Sequence, residues 1–354
     1  MSERLIKTAV VGASGYSGQE LLRLLLMHPQ VELAAVTSRQ EAGRSLAEVF
    51  PRFRGAPKMD ALCFIEPDMD AIAATGAECA FLALPHGVAY EFAAGLLERG
   101  IRVIDLSADF RLNDPAVYAE FYGGDHPSPE LMKEAVYGLP EFRAEEIRQA
   151  RIVASPGCYP TSILLPLLPL LKSGLINPAS ITVSSMSGAS GAGKKADASL
   201  LFAEINESVR AYGAPKHRHL SEIEQELSIA AEAVVRISFV PHLMPVTAGI
   251  CTTIFCEPGE QGKGGDLSKL IAGAYDSAYG NAPFVRILGE NKFPDTKHVT
   301  GTNHVDIGWV EDKRTGRLLL FSAEDNLGKG ASSQALQSFN LMFGLPETTG
   351  LFNY

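Results

Sequence analysis

The sequence predicts an α/β chain in which a doubly wound parallel sheet is followed by an α+β domain with a mixed, largely antiparallel sheet. Three observations carry that expectation. The first 150 residues alternate strand-like and helix-like patterns. From about Ile181 strands rich in Ser, Thr and Val take over, and the last pattern is a helix. A chain of 354 residues, 46% hydrophobic, holds more apolar material than one core usually takes, so two domains are expected. We place the first at residues 1–155 and the second at 156–325, with a helical segment, 326–354, returning to the first.

Taken in order, Leu5 to Val11 reads as a buried strand, Gln19 to Met27 as a helix carrying Leu21, Leu22, Leu24, Leu25 and Leu26, and Val31 to Thr37 as a second strand. This is a βαβ unit. Cys79–Leu84 and Arg102–Leu106 repeat the strand signal around a helix at Val88–Glu98, which extends the parallel sheet. Ile152 to Ala154 then leads through Cys158 into a Leu-rich helix. In the second domain, strands are expected at Ile181–Ser185, Val234–Val240, Gly249–Cys256, His304–Val310 and Arg317–Ser322. Ser221 and Glu224 have capping-box spacing for a helix start. Ala331 to Phe343 is helical, with Leu336, Phe339, Leu341 and Phe343 on its pattern. No internal repeat or low-complexity linker interrupts this order.

Charge and composition narrow the partners. The net charge is −10 and no basic cluster exceeds Lys194-Lys195, which argues against nucleic acid or an anionic membrane and for a small-molecule ligand. The longest apolar stretch, Ile163 to Leu171, is interrupted by Pro166 and Pro169 and is too short to span a bilayer. Met1 to Val10 has no long apolar run, so no secretory signal is expected, and five cysteines without paired spacing point to the reducing cytosol. On one strand, Cys251 and Cys256 would face opposite ways about 16 Å apart, too far for a bond.

Gly12-Ala13-Ser14-Gly15-Tyr16-Ser17-Gly18 joins the first strand to the first helix. This Rossmann-like setting is where helix-start amides receive a dinucleotide phosphate, although the glycine order is not the strict one. The second strand ends in Thr37-Ser38-Arg39 instead of the acidic residue of an NAD site. A hydroxyl and a guanidinium suit a 2′-phosphate, so NADP(H) is the expected cofactor; the plainer alternative is an exposed loop Arg. A second loop, Gly188-Ala189-Ser190-Gly191-Ala192-Gly193-Lys194, fits seven positions of a phosphate-binding P-loop. Lys195 stands where the magnesium-binding Ser or Thr belongs, so triphosphate chemistry is disfavoured while anion binding stays open beside a plain solvated loop.

Cys158 lies in Ser155-Pro156-Gly157-Cys158-Tyr159-Pro160-Thr161, between a strand and a helix. The unpaired amides and dipole of a helix start favour a thiolate there, and Pro160 suits the first helical position. The other four cysteines read as small buried hydrophobes. In His217-Arg218-His219, an extended backbone would put both imidazoles on one face, able to present a base beside an anion contact, or the triplet is surface decoration. No ligand spacing accompanies the scattered His86, His126, His242, His298 and His304, so no metal is expected. A nicotinamide fold, a helix-capped thiol and a histidine suit reduction of an activated acyl group through a thioester.

These motifs resemble the N-acetyl-gamma-glutamyl-phosphate reductase family of arginine biosynthesis, akin to aspartate-semialdehyde dehydrogenase. The resemblance runs through Gly12–Gly18, Leu84-Pro85-His86-Gly87, Asp105–Arg111, Tyr137–Glu141, Pro156–Thr161, Ser187–Gly193, Asn206-Glu207-Ser208, His217–His219 and Asp325–Gly330. It implies Cys158 as nucleophile and His217, ahead of His219, as acid/base. By the same resemblance Arg111, His219, Ser187, Gly188, Ser190 and Lys194 would hold an acyl phosphate substrate. Gly12, Ser14, Gly15, Tyr16, Ser17, Gly18, Ser38, Arg39, His86 and Asn326 would lie along NADP(H). It further implies a homo-oligomer, dimer or tetramer, assembled through the second domain. One place departs from the family: Ala248 stands where an Arg is common. That keeps two alternatives in view, a reductase for carrier-bound aminoadipyl phosphate and a non-catalytic NADP(H)-binding redox sensor.

Overall fold

The computed structural model describes residues 4–55, 62–194 and 196–352, which leaves Lys195 outside the described residues. The chain divides into two compact units. The first comprises Met1–Pro115, His126–Pro156 and Ala331–Asn353; the second comprises Ala116–Asp125 and Gly157–Gly330.

Among the described residues, seven strands build the first unit: β1 (Ile6–Val11), β2 (Val31–Thr37), β3 (Phe64–Ile65), β4 (Cys79–Leu82), β5 (Arg102–Asp105), β6 (Val136–Tyr137) and β7 (Ile152–Ala154). They lie in the order β3-β2-β1-β4-β5-β7-β6, and every pairing is parallel. A parallel sheet covered on both faces needs strands that are apolar throughout, and all four residues of β4, Cys79 to Leu82, are fully buried. The expected helices form at Tyr16–Met27 and Ala89–Glu98.

The closing helix, Ser333–Met342, belongs to this unit and is buried all round, after a π-turn at Gly328–Ser332. Two of its buried polar side chains, Gln337 and Asn340, are hydrogen-bonded to neighbouring segments. Gln337 donates to Glu347, and Asn340 donates to the carbonyls of Glu347 and Thr349 and meets the His28 ring at 3.0 Å. Ser332 Oγ donates to the Ser17 carbonyl, which ties the start of the closing helix to the glycine turn.

The second unit holds β8 (Thr182–Ser187), β9 (Arg210–Ala211), β10 (Ser238–Leu243), β11 (Ile250–Cys256), β12 (Val285–Glu290), β13 (Val305–Asp312) and β14 (Arg317–Glu324), in the order β12-β13-β14-β11-β8-β10-β9. The β12/β13 and β8/β10 pairings are parallel and the other four antiparallel. Cys251 and Cys256 sit on β11 with alternating burial, and both are free thiols. One face of this sheet packs on the helix Cys158–Lys172. On the other, Met186 is exposed and Thr253, Phe255, Leu319 and Phe321 are half-buried.

That helix carries Pro166 and Pro169 in its interior, which deprives the carbonyls of Ser162 and Leu165 of their helical N–H partners. Both are satisfied from outside: Ser322 Oγ donates to the Ser162 carbonyl at 2.6 Å and Tyr279 Oη to the Leu165 carbonyl at 2.5 Å. The apolar stretch therefore runs unbroken as the central helix of the unit. No helix among the described residues is long and apolar enough to cross a membrane.

Two local expectations are corrected. The strand expected at Val234–Val240 begins at Ser238, because Glu232 takes the left-handed conformation that ends the preceding helix and the Ile237 amide donates to Glu224. That helix begins at His219, so Ser221 caps nothing in the expected way: its hydroxyl donates to the Arg218 carbonyl.

Candidate active site

The glycine turn of the first unit has the form a dinucleotide needs. Gly12 has φ +81°, and a Cβ there would meet the Ala83 carbonyl oxygen at 2.6 Å; one on Gly18 would meet the Ala13 backbone at 2.7 Å. A Cβ on Gly15 would meet nothing within 4 Å, so the turn is open on the side where backbone must approach a ligand. Gly15 is the N-cap of the helix Tyr16–Met27, no side chain caps it, and the first turn holds no acid to repel phosphate. Thr37 holds the turn through its carbonyl, which accepts from the amides of Gly12 and Ala13. Beyond it the buried Ser38 hydroxyl lies 3.1 Å from Ser14 Oγ, and Arg39 is exposed. Tyr16 is exposed, and the Ser17 carbonyl is the one held by Ser332. These residues fit an NAD(P) dinucleotide.

Elsewhere in this unit, charged side chains shape the strand ends. Asp109 accepts from the amides of Gly87 (2.6 Å) and Ala89 (3.0 Å), which fixes the loop carrying the exposed His86 and starts the helix Ala89–Glu98. Arg111 is buried, and it donates to the carbonyls of Ser155 (2.8 Å) and Leu106 (3.0 Å). Much of its donor capacity is thus directed at the backbone around the end of β7. Asp105 accepts from the amide and hydroxyl of Ser107, and burial pushes its carboxyl up to about 7.

In the second unit, Cys158 is the first residue of its helix, with Gly157 as N-cap, no acid in the first turn and Lys172 in the last. Pro160 is at the third position, not the first, still among residues whose amides have no helical partner. The thiol is half-buried, and Gly330 packs so closely that a Cβ there would meet Cys158 Cβ at 2.7 Å and Glu324 Oε1 at 2.9 Å.

His219 lies against the start of this helix. A Cβ on Gly157 would meet His219 Nε2 at 2.7 Å and Glu222 Oε1 at 2.8 Å, and Glu222 Oε2 accepts the Gly157 amide at 3.2 Å. The extended backbone expected for the histidine triplet does not form, since Arg218 is helical. The rings still meet, 4.9 Å apart and edge to face, because His217 Nδ1 accepts the His219 amide. His217 itself is wrapped by Tyr159, Tyr212 and Phe239. Burial in that aromatic cluster, with Arg218 beside it, pushes its pKa down to about 4.

The sequence reading missed Tyr159 and Tyr212, whose hydroxyls lie 2.8 Å apart. Nothing but adjacency to Cys158 marks Tyr159 in the chain, and nothing marks Tyr212. Glu222 was missed for a different reason: it stands three residues after His219 and shares its helix face, which is legible once the helix is started at His219.

The loop Gly188–Lys194 follows β8 and contains a 3₁₀ turn at Ala189–Ala192. Its backbone is largely committed: the amides of Gly188, Ala189 and Ser190 donate to the carbonyls of Gly249, Val246 and Thr247, while those of Gly191 and Gly193 donate within the loop. Side chains are what it has to offer a ligand. Ser187 and Ser190 are buried, Lys194 is exposed, and Ser187 Oγ donates to the Gly188 carbonyl. Asn326 is buried here as well: its carbonyl oxygen accepts the Gly249 amide at 2.8 Å and its Nδ2 donates to Ser190 Oγ at 2.9 Å. Ala248 packs on Gly188, whose Cβ would meet the Ala248 amide nitrogen at 2.8 Å. Among the described residues no cluster of three His, Cys, Asp or Glu side chains is placed to hold a metal ion.

Comparison with known proteins fits both units. Residues 7–150 match the semialdehyde dehydrogenase NAD-binding domain, and residues 158–326 match the semialdehyde dehydrogenase dimerisation domain. The N-acetyl-gamma-glutamyl-phosphate reductase of Akkermansia muciniphila is 61% identical over 98% of this chain and 99% of its own. That of Geotalea daltonii is 50% identical over 98% of both. Among solved structures, aspartate semialdehyde dehydrogenase II of Vibrio cholerae superimposes with a TM-score of 0.71 at 18% identity, over 97% of this chain and 99% of that one. The Candida albicans aspartate semialdehyde dehydrogenase with NADP does so with 0.71 at 15% identity, over 96% and 99%. At such identities the superpositions speak for the fold. With an NAD(P)-binding domain, a dimerisation domain and relatives matched along nearly its whole length, the chain is an oxidoreductase that belongs to the N-acetyl-gamma-glutamyl-phosphate reductase family of semialdehyde dehydrogenases.

Proposed function

We propose that the protein reduces N-acetyl-L-glutamyl 5-phosphate to N-acetyl-L-glutamate 5-semialdehyde and phosphate, with NADPH, in arginine biosynthesis. The observation that carries this reading is Cys158 at the start of a helix, with an imidazole against the residue before it. The Cys158 thiolate adds to the acyl carbonyl, the bond to the phosphate oxygen breaks, and phosphate leaves a thioester on Sγ. When bound, NADPH supplies the hydride that reduces the thioester carbon. An imidazolium gives its proton to the resulting oxyanion, then takes it back as the carbon–sulfur bond breaks and the aldehyde departs.

Two observations support His219 for that proton in place of His217. His217 is held neutral in its aromatic cluster with Nδ1 already accepting a hydrogen bond, whereas His219 Nε2 lies at Gly157. Ser187, Gly188, Ser190 and Lys194 receive the acyl phosphate in this reading, with Asn326 holding Ser190 in place. Arg111 acts on the substrate side or, through Ser155, on the entry to the nucleophile helix. Ser38 and Arg39 select the 2′-phosphate, and His86 lines the cofactor from a loop set by Asp109.

The domains at 1–155, 156–325 and 326–354 serve cofactor binding, catalysis with assembly, and closure of the first domain. The open face of the second sheet, with Met186, Phe255 and Phe321, supports assembly as a dimer or a tetramer. A catalytic thiol outside any disulfide suits the reducing cytoplasm.

The reverse reaction tests the reading. Supplied with N-acetylglutamate semialdehyde, NADP and phosphate, the protein is expected to form NADPH only when phosphate is present, and Cys158→Ser to form none. Turnover that ignores phosphate would mean simple aldehyde oxidation.

A further inference from the structure

Asn326 is 2% exposed, and its side-chain amide is committed to the loop that follows β8. The Gly249 N–H can only donate, so it fixes which end of that amide faces it. Oδ1 accepts there at 2.8 Å, and Nδ2 therefore faces Ser190 Oγ, to which it donates at 2.9 Å. Ser190 Oγ is the acceptor in that bond, which turns its own hydrogen away from Asn326. Asp325 pins the backbone beside it, accepting the amides of Gly301 at 2.6 Å, Leu327 at 2.8 Å and Gly328 at 3.1 Å.

The neighbouring donors of the loop are already engaged. The amides of Gly188, Ala189, Ser190, Gly191 and Gly193 donate to carbonyls, and the Ser187 hydroxyl donates to the Gly188 carbonyl. The Ser190 O–H meets no acceptor among the described residues, and Gly191 places no side chain over this spot, where a Cβ would come within 3.3 Å of Ser187 Oγ and 3.6 Å of Asn326 Nδ2. We propose that Ser190 is the residue of this loop that donates to the phosphoryl group, whether of the acyl phosphate or of inorganic phosphate, and that Asn326 is its positioning residue, setting the direction of the hydroxyl hydrogen. The inference rests on the acyl phosphate reading and narrows it from a loop to one hydroxyl.

A hydroxyl whose acceptor capacity is already used by an amide favours a ligand that accepts, and a phosphoryl group offers acceptor oxygens only. Hydrogen bonds to such an anion are the strong ones. Lys194, exposed and four residues further on, adds positive charge on a flexible stem and leaves direction to the serine. The family resemblance would instead lay Asn326 along NADP(H). On that footing its replacement weakens the binding of NADP and leaves phosphate alone, so the two roles separate by which ligand responds.

Isothermal titration calorimetry of inorganic phosphate into the full chain saturated with NADP reads the dissociation constant with no turnover needed. Ser190→Ala is expected to raise it about tenfold. Asn326→Asp keeps an acceptor for the Gly249 amide but has no N–H for Ser190, whose hydrogen then turns inward to the new carboxylate. The constant should rise by more than about tenfold. The added charge repels phosphate in any background, so the coupling decides: in the Ser190→Ala background the effect of Asn326→Asp should be about tenfold smaller than in the wild type. Equal effects in both backgrounds, or an unchanged constant in Ser190→Ala, would overturn the proposal. So would a weakened NADP constant in place of the phosphate constant, or a wild type that binds no phosphate. If Asn326→Asp does not fold, Ser190→Ala alone decides. A wild type that binds phosphate yet oxidises the semialdehyde without it would refute the substrate reading and leave the assignment of Ser190 standing.

Discussion

At Gly157 the chemistry leaves no room for a side chain. Its φ of −70° and ψ of 158° are ordinary for any residue, so the glycine is required by space alone: a methyl group would land on His219 Nε2 and Glu222 Oε1. Gly157→Ala should therefore fold, with a melting temperature within a few degrees of wild type, yet lose roughly a hundredfold in kcat, the cost of moving reacting groups by about 1 Å. Equal losses of stability and rate would show that the residue serves folding, and differential scanning calorimetry beside steady-state kinetics separates the two. Cys158 was legible in the sequence because a strand, Pro-Gly, a thiol and a proline-bearing helix follow one another locally. Glu222, Tyr159 and Tyr212 were not, because their roles come from contacts between segments more than 50 residues apart.

The elements differ in how plainly the chain announces them. Strands β1, β2, β4 and β5 are apolar runs between glycine-rich or polar turns, and their expected bounds match within two residues. Strands β3, β6 and β9 are two residues long and have no pattern to read. The helix Cys158–Lys172 looked interrupted, since a proline in a helix costs hydrogen bonds; its acceptors are met by Ser322 and Tyr279, which only the fold brings near. In the proposed reading the helix Tyr16–Met27 receives the cofactor phosphate, and selectivity lies at the end of β2. Arg39→Ala is expected to raise KM for NADPH about tenfold, the loss of roughly 1.4 kcal/mol of charged contact, and to leave KM for NADH near its wild-type value. Equal effects on both cofactors would remove Arg39 from 2′-phosphate recognition.

Across the whole molecule, burial sets the response to pH. His28, His126, His217 and His304 all have pKa values lowered by burial, so the native state holds them neutral. The unfolded chain takes up their protons first. Their contribution to stability is complete above about 6.5 and is lost as pH falls toward the folded values, about 4 for His217. Asp105 has the opposite sign: raised to about 7, it contributes fully below its unfolded value near 3.8 and loses that contribution as pH rises through 7. Urea unfolding should accordingly show stability dropping between pH 6 and 4. Asp105 gains stability as pH falls from 7 to 4 and so opposes the histidines; Asp105→Asn, which keeps an acceptor for the Ser107 amide, should make the drop over that range steeper. A variant whose profile between pH 7 and 4 matches wild type would deny Asp105 that part.

The two-domain order, the parallel sheet and the mixed sheet were legible from periodicity, while the exchange of Ala116–Asp125 into the second unit was not, since no composition marks it. Everything assigned to the second unit turns on a thioester at Cys158, and that species can be weighed directly. Incubated with N-acetylglutamyl phosphate and no NADPH, the protein is expected to release one phosphate per active site and to carry one N-acetylglutamyl group, mapped by mass spectrometry to the peptide containing Cys158. An intact protein of unchanged mass, or an acyl group on any other residue, would contradict the account.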